Sequence, residues 1–305
     1  NQGFLSLRDI ERLVKQNKPI VWTMHDMWPC TGICHHARDC EKFQTECESC
    51  FFLKSKGKDL STSVFDKKMS LYKDANITFV GCSRWLSGRA KKSYLLRGKA
   101  VLSIPNPIDT KVYHPMDQGM ARELLGLPSG KRLLLFGALN VTDKRKGIDY
   151  LIEALRRMEK QDVELVVFGQ VKDDIRGLFP VPIHSMGYLS DESKIVALYN
   201  AVDMFITSSL EENLPNTIME SMACGTPCVG FEIGGIPEMI DHRVNGYVAN
   251  YKDAGDLANG IQWVLEHEDR LALSDACVKK VQENYTEEVV AKQYTALYEK
   301  LLKGE

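Results

Sequence analysis

The feature that most constrains the fold is a regular alternation of strand-like and helix-like segments after residue 109. Short apolar runs such as Arg132–Phe136, Val163–Phe168 and Asp203–Thr207 alternate with longer amphipathic segments such as 147–160 and 191–200. Strands that are separated by helices in this way form parallel sheets covered by those helices. The alternation therefore predicts an α/β domain with a doubly wound parallel sheet.

A proline-rich motif, PNPID at Pro105–Asp109, separates this region from the preceding one. We predict an N-terminal domain over 1–109, a C-terminal domain over 110–285 and a final helix over 286–305 that packs back toward the N-terminal domain. The N-terminal domain shows about three strands, fewer than such a domain usually has, and an irregular cysteine-rich insertion at about 28–60. We therefore expect this domain to be incomplete and the sequence to be a piece of a longer protein.

The composition excludes several classes of protein. With 305 residues, of which 44% are hydrophobic and 26% charged, the chain is typical of globular proteins and long enough for one or two cores. A net charge of −2 gives no basic footprint for nucleic acid. No apolar run approaches the roughly 20 residues of a membrane-spanning helix, and no signal-peptide pattern is found.

Two glutamates, Glu212 and Glu220, stand eight positions apart around a predicted helix start at Asn216 and Thr217. In open α/β sheets ligands bind beyond the carboxyl ends of the strands, and a helix start favours phosphate. Carboxylates repel phosphate, so these two suit sugar hydroxyls or a developing positive charge. The alternative interpretation is a capping box formed by Thr217 and Glu220.

The residues around and after the two glutamates resemble a motif of a known protein family. Glu212-x7-Glu220 is followed by SMACGTPCV, and together they resemble the E-x7-E region of family 4 glycosyltransferases, which have the two-domain GT-B fold. Leu214-Pro215 replaces the Phe-Gly that is usual at the centre of this motif. The resemblance begins at Thr23–Asp26 and covers nearly the whole chain. It implies retaining, metal-independent transfer from a nucleoside diphosphate sugar to a glycan or lipid-linked acceptor, in cell-surface polysaccharide biosynthesis.

The resemblance also implies roles for single residues. Glu220 would bind the ribose hydroxyls, while Glu212 and His25 would hold the transferred sugar, with His25 facing it across the cleft. His25 follows an apolar strand, where a histidine can donate a hydrogen bond to a hydroxyl. The alternative for His25 is a core histidine that is satisfied by backbone groups.

A basic loop at Lys144, Arg145 and Lys146 suits the diphosphate of the donor, because lysine offers a point charge and arginine a fork. The family usually has an arginine where this chain has Ala138, so Arg145 or Lys144 is expected to assist Lys146. A solvated basic turn is the alternative. Further donor contacts are implied at Gly137, Asn216, Thr217 and Leu189.

Five of the nine cysteines lie within 21 residues, between Cys30 and Cys50. The series Cys34-x5-Cys40-x6-Cys47-x2-Cys50 offers four thiolates, which suit a closed, structural zinc site. Disulfides or free thiols are the alternative. Four further cysteines stand in apolar or helical contexts and are predicted to be core residues: Cys82, Cys224, Cys228 and Cys277.

The segment Arg84–Lys99 carries six basic residues and no acidic one, with apolar residues such as Trp85 between them. Such a helix can lie on an anionic membrane surface, so we predict a cytoplasmic enzyme that also binds the inner face of the membrane. The alternative is a solvated helix whose apolar face packs inward.

Two other functions stay open from the sequence alone. The chain can be an inactive donor-binding fragment, since the acceptor side is incomplete, or a nucleotide-sugar epimerase, since such enzymes share the two-domain architecture. No cofactor is expected for catalysis, and the donor, the acceptor and an anionic membrane are the expected partners.

Overall fold

The computed structural model of the chain describes residues 5–141, 143–158, 162–170 and 176–304. Its internal contacts divide the chain into two units. The first contains the described residues up to Pro105 together with those from Lys292 onward, and the second runs from Asn106 to Ala291. Each unit contains its own parallel sheet.

The first unit is built on three parallel strands in its described residues. In chain order its elements are α1 (Leu7–Val14), β1 (Ile20–Met24), α2 (Leu60–Lys73), β2 (Ile77–Gly81), α3 (Arg84–Lys91) and β3 (Ala100–Ser103). The strands lie in the order β1-β2-β3. The central strand, with the sequence ITFVG, is buried along its whole length. Such a continuous apolar run is typical of a parallel strand, and the three strands are those that the sequence predicts.

The irregular insertion predicted at about 28–60 lies between β1 and α2. Its regular structure is limited, in the described residues, to short 3-10 turns at Trp28–Cys30 and Lys42–Gln44. The insertion ends at Asp59, whose carboxylate accepts hydrogen bonds from the backbone N–H groups of Ser61 and Thr62. Asp59 thereby caps the amino terminus of α2.

The second unit alternates strands and helices, as predicted. Its elements are α4 (Gln118–Leu125), β4 (Arg132–Asn140), α5 (Ile148–Arg157), β5 (Val163–Gln170), β6 (Ile183–Gly187), α6 (Glu192–Ala201), β7 (Met204–Thr207), α7 (Asn216–Ala223), β8 (Cys228–Phe231), α8 (Ile236–Met239), β9 (Gly246–Ala249), α9 (Ala254–Leu265), α10 (Arg270–Asn284) and α11 (Glu287–Lys303). The residues of α11 from Lys292 onward belong to the first unit.

The strands described in this unit are parallel and lie in the order β6-β5-β4-β7-β8-β9. From β4 the chain proceeds outward to β5 and β6, and it then returns to add β7, β8 and β9 on the other side. The order reverses between β4 and β7, and open α/β sheets bind their ligands beyond the carboxyl ends of the strands at such a point. The doubly wound topology is confirmed, and it places the expected binding site at the carboxyl ends of β4 and β7.

Strand β4 is longer than predicted. The sequence indicates that it ends at Phe136, but it continues to Asn140, because β5 still pairs with it beyond an irregularity, with Asn140 opposite Gln170. Helix α5, predicted over 147–160, runs from Ile148 to Arg157. The last two residues of that prediction lie outside the described part of the chain.

An ion-pair network joins β4 to β7 at their amino-terminal ends. The carboxylate of Asp203 accepts hydrogen bonds from the Leu133 N–H (2.7 Å) and from Arg122 Nη2 (3.0 Å), and it lies 2.7 Å from Arg270 Nη2. Arg122 also donates from Nε to the carbonyl of Ala201 at 2.7 Å. Arg122 and Asp203 are both buried, so the network holds charges that water cannot reach easily.

The basic segment Arg84–Lys99 packs its leucines inward. Helix α3 covers only its first half, and a short 3-10 turn follows at Tyr94–Leu96. Leu86, Leu95 and Leu96 are buried, whereas the side chain of Trp85 is half-buried and Tyr94 is exposed. The apolar face of this segment therefore stabilises the first unit, and it is mainly the basic residues that reach solvent.

Candidate active site

The loops after β4 and β7 are hydrogen-bonded to each other at the point where the strand order reverses. The Leu210 N–H donates to the carbonyl of Arg145 at 2.7 Å, and Ser208 Oγ donates to the carbonyl of Lys146 at 2.9 Å. Gly147 has a φ of 65°, and a Cβ added there would lie 1.9 Å from the carbonyl oxygen of Ser208. Only glycine permits both this backbone conformation and this approach, so Gly147 fixes Lys146 next to the β7 loop.

This arrangement brings together two of the predicted site residues. Lys146 Nζ lies 2.5 Å from Glu212 Oε1, and the exposed fractions of the two side chains are 32% and 15%. The pair is partly shielded from water, which strengthens its attraction relative to a surface pair. A cation and a carboxylate therefore stand side by side at the carboxyl ends of β4 and β7.

Two other loops support the segment that carries Glu212. The Gly235 N–H donates to the carbonyl of Asn213 at 2.5 Å, and a Cβ on Gly234, where φ is 59°, would lie 2.0 Å from the carbonyl oxygen of Glu212. The hydroxyl of Tyr251 donates to the carbonyl of Leu210 at 3.0 Å. These residues were not predicted from the sequence, although the Gly234-Gly235 pair is a signal of close backbone approach.

Glu220 lies one turn into α7 and contacts a buried tyrosine. The hydroxyl of Tyr199, at the end of α6, donates to Glu220 Oε2 at 2.8 Å. Burial raises the pKa of Glu220, and the hydrogen bond from Tyr199 opposes this shift. Glu220 is thus a shielded carboxylate that is held in one position by a neutral donor. The sequence analysis missed Tyr199, which stands 21 residues before Glu220.

The capping-box interpretation of Thr217 and Glu220 is wrong. Helix α7 begins at Asn216, its N-cap is Pro215, and no side chain caps it. Thr217 is therefore inside the first turn, and the carboxylate of Glu220 accepts from Tyr199. The side chain of Asn216 accepts a hydrogen bond from Asn106 at 3.2 Å.

The other two cations of the basic loop differ from Lys146. The guanidinium of Arg145 forms an ion pair with Asp143, with Nη2 2.6 Å from Oδ2. The hydrogen bond from this guanidinium keeps the pKa of the Asp143 carboxyl below its usual value. Lys144 is exposed. Lys146 is paired with Glu212, a predicted site residue, whereas Arg145 is engaged by Asp143 in the same turn.

Gly137 and Leu189 lie on other parts of the same sheet. A Cβ on Gly137 would lie 1.8 Å from the ring of Phe168, so this glycine is required for the packing of β4 against β5. Leu189 follows β6, two strands away from β4, and the last residue of β6, Gly187, has a φ of 64°. Leu189 is half-buried. Donor contact at these two positions stays a prediction.

His25 belongs to the first unit, where it follows β1 directly and is exposed. The interpretation of His25 as a core histidine is therefore wrong. The carboxylate of the neighbouring Asp26 accepts a hydrogen bond from the Trp28 N–H at 2.7 Å, and its second oxygen lies 2.7 Å from His35 Nδ1. These contacts tie the residue next to His25 to the cysteine-rich insertion.

All nine cysteines are free thiols. The four that the sequence assigns to the core are buried, as predicted: Cys82, Cys224, Cys228 and Cys277. Of the proposed zinc ligands, Cys47 and Cys50 are buried and Cys34 and Cys40 are half-buried. The disulfide alternative does not occur in the structure.

Comparison with known proteins matches part of the second unit to a protein family. The family of glycosyl transferases group 1 matches residues 130–267. The chain is 24% identical over 213 residues to N-acetyl-alpha-D-glucosaminyl L-malate synthase of Bacillus anthracis. This match covers 68% of this chain and 55% of that protein. It is 33% identical over 118 residues to the N,N'-diacetylbacillosaminyl-diphospho-undecaprenol alpha-1,3-N-acetylgalactosaminyltransferase of Campylobacter jejuni, covering 38% of this chain and 31% of that protein. The chain spans about half the length of the curated relatives it matches.

Solved structures agree with this result at the level of the fold. HepE of Anabaena in complex with UDP matches 96% of this chain and 77% of its own, with a TM-score of 0.75 and 17% identity. Sucrose-phosphate synthase of Thermosynechococcus elongatus matches 93% of this chain and 68% of its own, with a TM-score of 0.70 and 20% identity. The fold is therefore α/β of the GT-B type, with Rossmann-like parallel sheets. Over residues 130–267 the chain is similar to the group 1, or family 4, glycosyltransferases.

Proposed function

We propose that this chain is part of a retaining glycosyltransferase that moves a sugar from a nucleoside diphosphate sugar to a glycan or lipid-linked acceptor. The observation that carries the proposal is the Lys146–Glu212 pair at the carboxyl ends of β4 and β7. Two of the proteins named above support it. The Campylobacter jejuni enzyme transfers a sugar to a diphospho-undecaprenol carrier, and the structure of HepE contains UDP. Cell-surface polysaccharide biosynthesis is the setting that we propose.

Lys146 would neutralise the leaving diphosphate. Negative charge builds on that group as the bond to the sugar breaks, and a cation fixed in advance stabilises this charge without reorganisation. Without donor, the partner of Lys146 is Glu212. When a diphosphate arrives, we expect Lys146 to contact it, which leaves the Glu212 carboxylate available to the sugar and to its developing positive charge. The leaving phosphate itself would take the proton of the acceptor, so no metal is required for this step.

Glu220 would bind the ribose of the donor. Its carboxylate lies one turn into α7 and can accept hydrogen bonds from two neighbouring hydroxyls, while Tyr199 holds one of its oxygens in place. Asn216 and Thr217, in the first turn of the same helix, stay proposed donor contacts, as do Lys144 and Arg145. For His25, which belongs to the other unit, contact with the sugar stays a prediction from the family resemblance.

A screen of nucleotide sugars with the full-length protein tests the proposal. We expect one donor to be consumed in the presence of acceptor, and we expect NMR of the product to show the same anomeric configuration as in the donor. A product of inverted configuration would contradict the retaining mechanism. Isomerisation of the nucleotide sugar without acceptor would favour an epimerase, and tight donor binding without turnover would favour a binding module.

Glu220→Gln is expected to raise the melting temperature at neutral pH. Because burial raises the pKa of Glu220 above its unfolded value, the folded protein keeps this proton in a pH range where the unfolded chain releases it. Stability is therefore lost as the pH rises from the unfolded pKa through the folded pKa. Glutamine stays neutral and its oxygen still accepts from Tyr199. Thermal unfolding over a pH series should show a gain that grows toward neutral pH.

An exposed glutamate, Glu266, provides the control, since Glu266→Gln should show no such gain. The account of Glu220 would be wrong if both variants had the same pH dependence. The same Glu220→Gln protein should bind nucleoside more weakly than the wild type, because an amide accepts fewer hydrogen bonds from the ribose hydroxyls than a carboxylate does. Stability gained together with binding lost is typical of a functional residue.

We also propose that the protein binds reversibly to anionic membranes. No helix in the described part of the chain is long and apolar enough to span a bilayer. The leucines of Arg84–Lys99 are buried, so this segment offers charge rather than an apolar face. An apolar tip that the sequence analysis missed lies in the insertion, where Phe51, Phe52 and Leu53 are 44%, 46% and 38% exposed. Exposed lysines follow it: Lys54, Lys56 and Lys58.

Sedimentation with vesicles tests this surface. We expect the protein to pellet with anionic vesicles at low salt and to be released at high salt, since each cation near such a surface contributes about 1 kcal/mol. Replacing both Phe51 and Phe52 by serine should reduce pelleting, whereas serine at Leu124 of α4, which is 63% exposed, should not. Equal pelleting with neutral and anionic vesicles would contradict the proposal.

A further inference from the structure

The cysteine-rich insertion gathers four thiols in a loop that has little regular structure. Long loops of this kind in compact proteins are usually functional or are held by a cross-link or a metal. The described residues contain no disulfide. The loop starts close to His25, after β1, and ends at α2.

The thiols lie close to one another. The thiols of Cys34 and Cys50 are hydrogen-bonded to each other, and Cys34 also interacts with the thiols of Cys47 and Cys40. The sulfur of Cys47 accepts a hydrogen bond from the Gly32 N–H at 3.3 Å. Backbone N–H donors to sulfur stabilise a thiolate, the form in which cysteine binds metal.

The backbone that carries these thiols is held from outside the cluster. The buried Lys68 of α2 donates to the carbonyls of Trp28, Thr31 and Gly32 at 2.5, 2.9 and 3.0 Å. A Cβ on Gly32 would lie 2.5 Å from the carbonyl oxygen of Ser61, so the chain passes α2 too closely for any other residue. The start of the loop is therefore fixed independently of any ligand.

Further hydrogen bonds hold the backbone at Cys34 and at Cys50. Thr31 Oγ1 donates to the carbonyl of Cys34 at 2.7 Å, and the carboxylate of Asp59 accepts from the Cys50 N–H at 2.8 Å. Ser49, next to Cys50, has a φ of 46° although it is not glycine. Such a conformation costs free energy and persists only where the surroundings impose it. The backbone thus presents Cys34 and Cys50 to each other.

Other soft ligands near the insertion have different partners. The thiol of Cys30 is wholly buried and donates to the carbonyl of Met27 at 3.1 Å. His35 lies 2.7 Å from Asp26 through Nδ1. The four remaining cysteines of the insertion offer four thiolates, and four thiolates with no open position are the ligand set of a structural zinc site.

We propose that four thiols of the insertion bind one zinc ion in a closed, structural site: Cys34, Cys40, Cys47 and Cys50. Binding replaces four S–H bonds by four Zn–S bonds and releases four protons to solvent, with no change of oxidation state. Within the described residues no three Cys, His, Asp or Glu side chains already surround a common point that would hold a metal ion. The sulfurs must therefore rotate from mutual contact to distances of about 2.3 Å from the ion.

The site would stabilise the part of the first unit that begins at His25. The Met27 N–H donates to the carbonyl of His35 at 2.8 Å, and His35 contacts Asp26, so the turn after β1 is bonded to the residue that follows Cys34. Holding the thiols on one ion would keep this turn in place. The inference does not depend on the sugar-transfer activity.

Elemental analysis and cobalt substitution test the proposal. Protein purified under reducing conditions should contain about one zinc per chain. After exchange, Co²⁺ should give the intense d–d bands and thiolate-to-metal charge-transfer bands of a tetrahedral thiolate site. Cys47→Ser should lower the zinc content several-fold and change the cobalt spectrum. Cys30→Ser should keep both, since its hydroxyl can still donate to Met27.

The proposal is overturned if wild-type protein carries no zinc while the four thiols titrate as free, or if mass spectrometry finds Cys34 and Cys50 joined as a disulfide. A cobalt spectrum without thiolate-to-metal bands would overturn it too. The cobalt spectrum of the wild type does not depend on the folding of any variant, so a Cys47→Ser protein that fails to fold leaves the test intact.

Discussion

Lys146→Ala is expected to lower sugar transfer by about 10²–10³-fold, the range found when one preorganised donor to a developing negative charge is removed. Donor binding should weaken as well, by roughly 1.5–3 kcal/mol, the value of a hydrogen bond to a charged group. The physical reason is the position of Lys146 at the point where the strand order of the second unit reverses, with its ammonium group beside Glu212. Initial rates and calorimetric titration with nucleoside diphosphate measure the two effects.

A nucleoside without phosphates separates this explanation from a general loss of structure. Lys146→Ala should weaken the binding of the diphosphate and leave that of the nucleoside unchanged. Lys131, at the other end of β4, pairs with the exposed Asp162, and Lys131→Ala should change neither affinity. Equal losses for nucleoside and nucleoside diphosphate would show that Lys146 does not contact phosphate.

Glu212→Gln should give the opposite pattern from Lys146→Ala. Turnover should fall because the carboxylate that we propose to act on the sugar is gone. Affinity for nucleoside diphosphate should stay the same or rise, because Glu212 no longer repels the phosphates or competes for Lys146. A parallel loss of both quantities would mean that Glu212 only positions Lys146.

Asp203→Ala is expected to cause the largest loss of stability, about 3–5 kcal/mol of the free energy of unfolding, the cost of breaking a buried ion pair by removing one partner. Asp203 is 2% exposed at its side chain and lies 3.0 Å from the buried Arg122. Its removal leaves that guanidinium without its carboxylate and the Leu133 N–H without its acceptor. Urea unfolding measures the difference.

Two further substitutions refine this prediction. Asp162→Ala removes a carboxylate of the same kind from an exposed surface pair with Lys131 and should change the stability little. Asp203→Asn keeps the shape and an acceptor and should lie between the wild type and Asp203→Ala. Similar stabilities for Asp203→Ala and Asp162→Ala would contradict the structural role of the network.

Much of the site follows from local sequence patterns. Lys146-Gly147 after an apolar strand indicates a cation at a helix start, and the spacing of Glu212 and Glu220 indicates two carboxylates on the next such loop. The strand and helix alternation then predicts that both loops reach the same edge of one sheet. These arguments need only neighbouring residues and the topology of parallel sheets.

Other features depend on residues far apart in the chain and could not be predicted. The T-x-x-E pattern of Thr217 and Glu220 is the same whether it forms a cap or not, and only the folded structure shows that the Glu220 carboxylate accepts a hydrogen bond from Tyr199. The carboxyl end of β4 is set by its pairing with β5 across an irregularity. Likewise, the leucines of Arg84–Lys99 resemble a membrane-binding face until their burial in the first unit is known.

The measurement that tests the central claim most directly is a crystal structure of the full-length protein with a nucleoside diphosphate bound. We predict that the diphosphate lies at the carboxyl ends of β4 and β7, with an oxygen in hydrogen-bonding distance of Lys146 Nζ, and that Glu220 contacts the ribose. We also predict that Lys146 and Glu212 separate from their present distance of 2.5 Å. A diphosphate bound elsewhere, with the Lys146–Glu212 pair intact, would contradict the account.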